Sequence, residues 1–203
     1  MISVFFLGLV FAFIGYTPPS VLNLTALKIR LQHDKKDFYF FTLGVLLIVF
    51  LQAYISVYLT KHITNNPLII IFLKKIRVIV LLSLSVYFFQ QNRKEKKQLK
   101  IIPKEKNSFF TGVFLSTLNM FAIPFFCGII VLLSSNNLMD YSISSIVLFL
   151  TGSVLGAFYI LFLYGKYASK IQQKIGKMTQ NINLILSFIT AGFALFTLLK
   201  FVV

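Results

Sequence analysis

Six long apolar segments constrain this chain more than any other feature of its sequence. Each is long enough to cross the ~30 Å hydrocarbon core of a bilayer as an α-helix, which takes roughly 20 residues. An isolated span must satisfy its own backbone polar groups, so the segments predict helices. We therefore predict an all-α membrane protein with six transmembrane helices. The segments lie at about Ile2–Leu27, Phe38–Leu59, Leu68–Phe89, Phe109–Leu133, Ile143–Gly165 and Ile182–Val203.

The composition agrees with a membrane protein and excludes an ordinary soluble domain. Of the 203 residues, 58% are apolar and 12% are charged, whereas globular proteins contain about 45–50% apolar and about 25% charged residues. The single cysteine excludes an intramolecular disulfide framework. No basic residue precedes the first apolar segment, so we expect this segment to be retained as a span rather than removed as a signal peptide.

The basic residues predict how the helices are oriented. Fifteen of the 20 Lys and Arg residues lie in the loops that follow the first, third and fifth segments. Such loops stay on the cytoplasmic side of the membrane. We therefore predict a multi-pass protein of the cytoplasmic (inner) membrane whose two termini both lie on the outer, non-cytoplasmic side. The basic loop Gln90–Asn107 could instead bind nucleic acid or anionic lipid. A cytoplasmic anchor between two spans is a sufficient explanation, and we expect no nucleic-acid partner.

The same loop divides the chain into two halves of opposite orientation. We predict a first three-helix repeat at residues 1–89, a basic cytoplasmic linker at 90–107 and a second three-helix repeat at 108–203. Inverted repeats of this kind are common in secondary transporters. The first segment of each half carries proline deep in the membrane, at Pro18-Pro19 and at Pro124. Proline removes a helical hydrogen bond and clashes with the carbonyl four residues earlier, so both helices are predicted to break there.

The two predicted breaks are the candidate substrate site. The carbonyls of Ile14, Gly15 and Met120 should lose their helical partners, and in hydrocarbon such groups need to line a cavity. Freed carbonyls suit an ammonium group, and the N–H groups after Pro19 suit a carboxylate. The alternative is that the prolines only kink the helices for packing. The candidate substrate-binding residues are Gly15, Thr17, Pro18, Pro19, Ser20, Asn23, Gln52, Asn119, Met120 and Pro124.

Glutamine, glycine and tyrosine residues inside the segments predict further structural roles. Gln52 either lines the cavity or forms an interhelical hydrogen bond. Gly152 and Gly156 predict close helix packing or, alternatively, a homodimer seam. Tyr54, Tyr58 and Tyr164 lie towards the ends of spans, where aromatic side chains anchor helices at the membrane surface.

The stretch Gly15-Tyr16-Thr17-Pro18-Pro19-Ser20-Val21-Leu22-Asn23-Leu24 resembles the first-span signature of the lysine-exporter (LysE) superfamily. That signature has a glycine before a Pro-Gly-Pro-type break, and this chain has Pro-Pro-Ser instead. Gly44 resembles the early glycine of the family's second span, and Gly112 with Leu118-Asn119 resembles the pattern before its second break. The resemblance covers essentially the whole chain and implies export of amino acids or related small zwitterionic solutes across the cytoplasmic membrane.

The apolar segments contain no Asp, Glu or His. This argues against a hydrolase with a nucleophile–base pair and against a transition-metal exporter, so we expect no enzymatic activity and no cofactor or metal. The expected partners are the lipid bilayer and a small-molecule substrate. Two alternatives to amino-acid export remain. One is a non-transporting membrane scaffold or accessory subunit, and the other is an exporter of a cation or a toxic organic solute.

Overall fold

A computed structural model describes residues 2–18, 20–64, 86, 107–119, 121–171, 188 and 191 of the chain. The chain divides into two compact units, Met1–Asn65 with Lys104–Gln172 and Asn66–Pro103 with Gln173–Val203. Every helix treated below lies in the first unit, which combines parts of both sequence halves. The predicted spans Leu68–Phe89 and Ile182–Val203 lie almost entirely outside the described residues, so the six-span inverted repeat stays a prediction.

The described part of the first unit consists of helices and their connections and contains no strand. We number the helices in chain order. They are α1 (Ile2–Tyr16), α2 (Val21–Gln32), α3 (Lys35–Thr64), α4 (Ser108–Thr117), α5 (Ala122–Ser135) and α6 (Ile143–Lys166).

Length and hydropathy identify these elements as membrane helices. Both α3 and α6 are long and apolar enough to cross a membrane individually. The pairs α1–α2 and α4–α5 meet the same criterion only when each pair is taken together, and they are bent by 82° and 62°. Each predicted broken helix therefore coincides with a bent helix pair, and the described residues form a helical, multi-pass membrane protein.

The surface of α1 shows how one apolar helix serves two environments. Its buried residues are Val4, Gly8, Ala12 and Tyr16. A second row, which is exposed, consists of Ile2, Phe6, Val10 and Ile14. Both rows repeat every four residues, so they occupy opposite faces of the helix. A helix that is apolar on its buried and its exposed face is typical of a membrane span.

Glycines bring α1 and α6 into backbone contact. A Cβ atom at Gly152 would overlap the carbonyl oxygen of Phe5, and one at Gly156 would overlap that of Leu9. The close-packing interpretation of this glycine pair is confirmed. The backbone of α1 occupies this face of α6, and a homodimer stays a prediction.

A second glycine pair joins α3 to α4 in the same way. A Cβ atom at Gly44 would overlap the carbonyl oxygen of Phe109, and one at Gly112 would overlap that of Phe41. Small residues at helix interfaces allow this approach, which van der Waals contact then stabilises. In each of these two helix pairs, a helix from the first half of the sequence packs against one from the second half.

A polar cluster fixes the start of α6. The Ser142 hydroxyl oxygen accepts from the backbone N–H of Ser145 at 3.4 Å and caps the helix. The Asp140 carboxylate accepts from the hydroxyls of Ser142, at 2.7 Å, and Ser145. These two hydrogen bonds hold the pKa of the exposed Asp140 carboxyl below its ordinary value.

Candidate substrate site at the two helix breaks

The first break, residues 17–20 between α1 and α2, is closed by a side chain from α2. Asn23 is fully buried, and its Nδ2 donates to the carbonyl oxygens of Tyr16 at 2.7 Å and Pro18 at 2.9 Å. Ser20 caps α2, with its hydroxyl oxygen accepting from the Asn23 N–H at 3.5 Å. The carbonyls left without helical partners are thus satisfied within the protein, as an apolar environment requires.

A second donor reaches this break from α6. The Tyr164 hydroxyl donates to the Thr17 carbonyl oxygen at 2.9 Å. Tyr164 is buried, so its predicted role as a membrane-surface anchor is wrong. The predicted freed carbonyl of Ile14 also has a partner, because it accepts from the Thr17 N–H at 3.2 Å. The chain turns tightly enough at Thr17 to supply that bond.

The second break, residues 118–121 between α4 and α5, is held by side chains of α3. Nε2 of the buried Gln52 donates to the carbonyl oxygens of Ser116 at 3.0 Å and Asn119 at 3.5 Å. The Ser56 hydroxyl shares its proton between the Gln52 carbonyl oxygen of its own helix at 2.7 Å and the Ile123 carbonyl oxygen at 3.1 Å. The interhelical hydrogen bond that was one interpretation of Gln52 is therefore present.

Pro124 does not lie in the break. It belongs to the first turn of α5, which begins at Ala122. The first N–H groups of a helix have no intrahelical partner, so a proline there removes no hydrogen bond. The prediction that the helix breaks at Pro124 is wrong by about one turn, and the break precedes it.

The two breaks lie next to each other. A Cβ atom at Gly15 would lie 2.6 Å from the ring of Phe125 in the first turn of α5. The side chain of Asn119 faces the hydroxyl of Tyr16. The end of α1 and the start of α5 therefore meet, although they come from different halves of the sequence.

Three buried polar atoms at these breaks have no hydrogen-bond partner in the described part of the chain. They are the Tyr16 hydroxyl, Asn23 Oδ1 and Gln52 Oε1. The exposed fractions of the three residues are 6%, 0% and 6%. Because buried polar atoms are nearly always paired, unpaired ones at a helix break are candidates for contact with a solute. Within the described residues, no group of three or more His, Cys, Asp or Glu could hold a metal ion.

The two donor hydroxyls occupy equivalent positions. Ser56 follows Gly44 in α3 by the same number of residues as Tyr164 follows Gly152 in α6. Each hydroxyl donates to a carbonyl at the bent helix pair that its own glycine contacts. Neither role was among the sequence-based predictions, and this common spacing after a packing glycine is the signal that could have revealed them.

The comparison with protein families agrees with this architecture. The family model described as LysE type translocator matches residues 13–200. The chain belongs to this family. The match confirms the resemblance drawn from the two breaks, and the family is one of transporters rather than enzymes. No curated protein and no solved structure matches the chain.

The structure of this LysE-type translocator brings part of the predicted site together. The backbone or side chains of Gly15, Pro18, Asn23, Gln52 and Asn119 contribute to the adjoining breaks. The Thr17 hydroxyl instead donates to the Phe13 carbonyl of its own helix at 2.7 Å. Four of the predicted site residues are exposed, namely Gly15, Thr17, Ser20 and Pro124. The remaining candidates, Pro19 and Met120, lie outside the described residues.

Proposed function

We propose that this translocator exports amino acids or related small zwitterionic solutes across the cytoplasmic membrane. The observation that carries the proposal is the pair of unpaired buried atoms on either side of Asn119. The Tyr16 hydroxyl faces the Asn119 side chain, and Gln52, with its unpaired Oε1, bonds to the Asn119 backbone. A transported solute would supply the missing partners, and family membership supports the same conclusion.

The chemistry of the breaks suits a small polar solute. Polar side chains inside a membrane are unfavourable and mark solute pathways by default. The described residues of the two breaks contribute amides, hydroxyls and backbone carbonyls but no acidic or basic side chain. A zwitterion carries both of its charges with it, so a site built from neutral dipoles can hold it without a fixed counter-charge.

The proposal is tested by measuring the accumulation of labelled amino acids in cells with and without the protein. The protein should lower the accumulation of at least one amino acid. Gln52→Leu should restore accumulation at equal membrane abundance. The matched control is Leu51→Ala, because Leu51 is the neighbouring residue on α3 and is exposed. Unchanged accumulation of every amino acid, with normal abundance, would favour the non-transporting scaffold.

We further propose that the six spans form two inverted repeats with both termini outside. The supporting observation is that α1 packs on α6 and α3 on α4 through equivalent glycine contacts. Single cysteines in each loop of a Cys127→Ser protein can be treated with an impermeant thiol reagent. The loop at residues 90–107 should react only after permeabilisation, and the loop at 136–142 should react in intact cells. Reaction of the central loop in intact cells would contradict the orientation.

A further inference from the structure

Hydrogen bonds fix the direction of the Gln52 amide. Its Nε2 donates to two carbonyl oxygens, those of Ser116 and Asn119. Rotating the amide by half a turn would place Oε1 against both carbonyls, so that acceptors faced acceptors. Oε1 is therefore the atom directed away from these carbonyls, and it has no partner among the described residues. Gln52 offers a solute an acceptor and no donor.

Hydrogen bonds also fix the direction of the Asn23 amide at the first break. Asn23 uses Nδ2 on the carbonyls of Tyr16 and Pro18, which leaves Oδ1 as its unpaired atom. The hydroxyls of Ser56 and Tyr164 already donate to backbone carbonyls, so only their lone pairs remain. Among the three unpaired atoms described at the two breaks, only the Tyr16 hydroxyl can either donate or accept.

The unpaired groups are therefore mostly acceptors, and no basic side chain lies among the described residues of the breaks. An ammonium group has three donors and no acceptor, whereas a carboxylate has only acceptors. A carboxylate placed beside Gln52 Oε1 would face oxygen against oxygen. The pattern of donors and acceptors thus distinguishes the two ends of an amino acid.

We propose that Gln52 Oε1, the Tyr16 hydroxyl oxygen and the Asn119 side chain bind the primary ammonium group of the transported solute, whose carboxylate is not required. This rests on the proposed translocation through the two breaks. The substrate class is then primary ammonium solutes, which includes amino acids and derivatives whose carboxylate has been neutralised. Derivatives whose ammonium has been neutralised are excluded.

The substrate class can be tested with purified protein in vesicles loaded with labelled probes. The probes are alanine, threonine and leucine, each as the free amino acid, the α-carboxamide and the N-acetyl derivative. The last two carry single charges of opposite sign, so net charge alone favours neither in a neutral site. Efflux above that of protein-free vesicles should be at least about 10-fold faster for the carboxamides, because hydrogen bonds to charged groups are the stronger ones.

Each outcome of the efflux experiment decides a different point. N-acetyl derivatives that leave as fast as carboxamides would overturn the ammonium assignment while amino-acid export stood. Carboxamide efflux without amino-acid efflux would support the ammonium site and contradict the proposed export. Efflux of no probe above protein-free vesicles would overturn both proposals.

The role of the Tyr16 hydroxyl can be tested with a variant that removes this one group. The Tyr16 hydroxyl faces the Asn119 side chain without a hydrogen bond of good geometry, so Tyr16→Phe would leave transport kinetics unchanged if Tyr16 were purely structural. We expect the KM for the carboxamide to rise about 10-fold, as for loss of a hydrogen bond to a charged group, with thermal stability preserved. Tyr54→Phe, at an exposed position of α3, should leave KM unchanged. An unchanged KM in Tyr16→Phe would overturn the role of this hydroxyl.

Discussion

The two helix breaks present the same problem, unpaired carbonyls inside a membrane protein, and are stabilised by different parts of the chain. The first break is closed from within by Asn23, which belongs to the half-helix that follows it. The second is closed from outside by Gln52 of the neighbouring helix α3. A break of the first kind depends on its local sequence, whereas a break of the second kind depends on helix packing.

The partners of the carbonyls differ accordingly. Within the described residues, the Tyr16 and Pro18 carbonyls accept only from Asn23. At the second break, Ser116 also accepts from the Asn119 N–H at 3.1 Å, and Asn119 accepts from the Ala122 N–H at 3.2 Å. Loss of a single amide therefore leaves bare carbonyls at the first break only.

The largest effects are expected where glycines bring the helices of each break together. Gly152→Ala, at the α1–α6 contact, and Gly44→Ala, at the α3–α4 contact, each place a carbon against a backbone carbonyl. Each should destabilise the protein by about 3 kcal/mol or more, because backbone cannot move aside as a side chain can.

Thermal unfolding in detergent measures both glycine variants. The matched control is Gly128→Ala in α5, because a Cβ atom at Gly128 meets nothing within 4 Å. This change should be neutral or should stabilise the helix by about 0.5–1 kcal/mol. A loss confined to one of the two helix contacts would break their equivalence.

The next largest effect should separate the two amides. Asn23→Leu leaves the Tyr16 and Pro18 carbonyls buried without a partner, which costs about 1–3 kcal/mol for each group. Gln52→Leu leaves the Ser116 and Asn119 carbonyls with backbone N–H partners, so the loss should be nearer 1 kcal/mol. Membrane abundance and thermal unfolding should fall more for Asn23→Leu. Equal losses would show that the two breaks are held in the same way.

Removing the hydroxyls of Tyr164 and Ser56 should also destabilise the first break more than the second, with smaller losses than removing the two amides. Tyr164→Phe leaves the Thr17 carbonyl without its donor and should cost about 1 kcal/mol. Ser56→Ala releases the carbonyl of Ile123, which lies inside α5, so its loss should be about 0.5 kcal/mol. Thermal unfolding of the two variants, compared in one detergent, measures the difference. A larger loss in Ser56→Ala would reverse the comparison.

The smallest effect is expected at Asp140, which lies outside both breaks. Its pKa in the folded protein is lowered below the ordinary 3.8 by the Ser145 and Ser142 hydroxyls. A lowered carboxyl pKa adds stability that is present above pH ~3.8 and is lost as pH falls through the folded pKa. Asp140→Asn should therefore be slightly less stable than the native protein, by an amount that stays constant between pH 5 and pH 8. Any difference between them should narrow at lower pH. A loss that grows on acidification would contradict this sign.

The sequence predicts the long elements well and the interior of the breaks poorly. The apolar segment Ile143–Gly165 agrees closely with α6, because membrane thickness fixes helix length. Proline located the first break correctly but misplaced the second, since Pro124 fits the first turn of α5. The role of Tyr16 was not predictable, because a tyrosine near a helix end serves equally as a surface anchor and as a buried hydroxyl.

The direction in which an amide points is the other feature that sequence does not provide. Gln52 was equally compatible with a cavity or an interhelical bond, and the structure uses its two ends differently. The nitrogen bonds to the second break, and the oxygen has no partner among the described residues. Only three-dimensional contacts separate these two functions of one side chain.

The central claim is that the two breaks meet and that solutes pass there, and cross-linking tests it most directly. Gly15→Cys and Phe125→Cys, introduced together in a Cys127→Ser background, should be joined by a short bis-methanethiosulfonate, which forms a reducible disulfide with each cysteine and releases methanesulfinate. Cross-linking should stop export, and reduction should restore it. Gly15→Cys paired with Gly128→Cys should not cross-link, because Gly128 faces open space. Absence of the first cross-link, or full export while it is intact, would contradict the account.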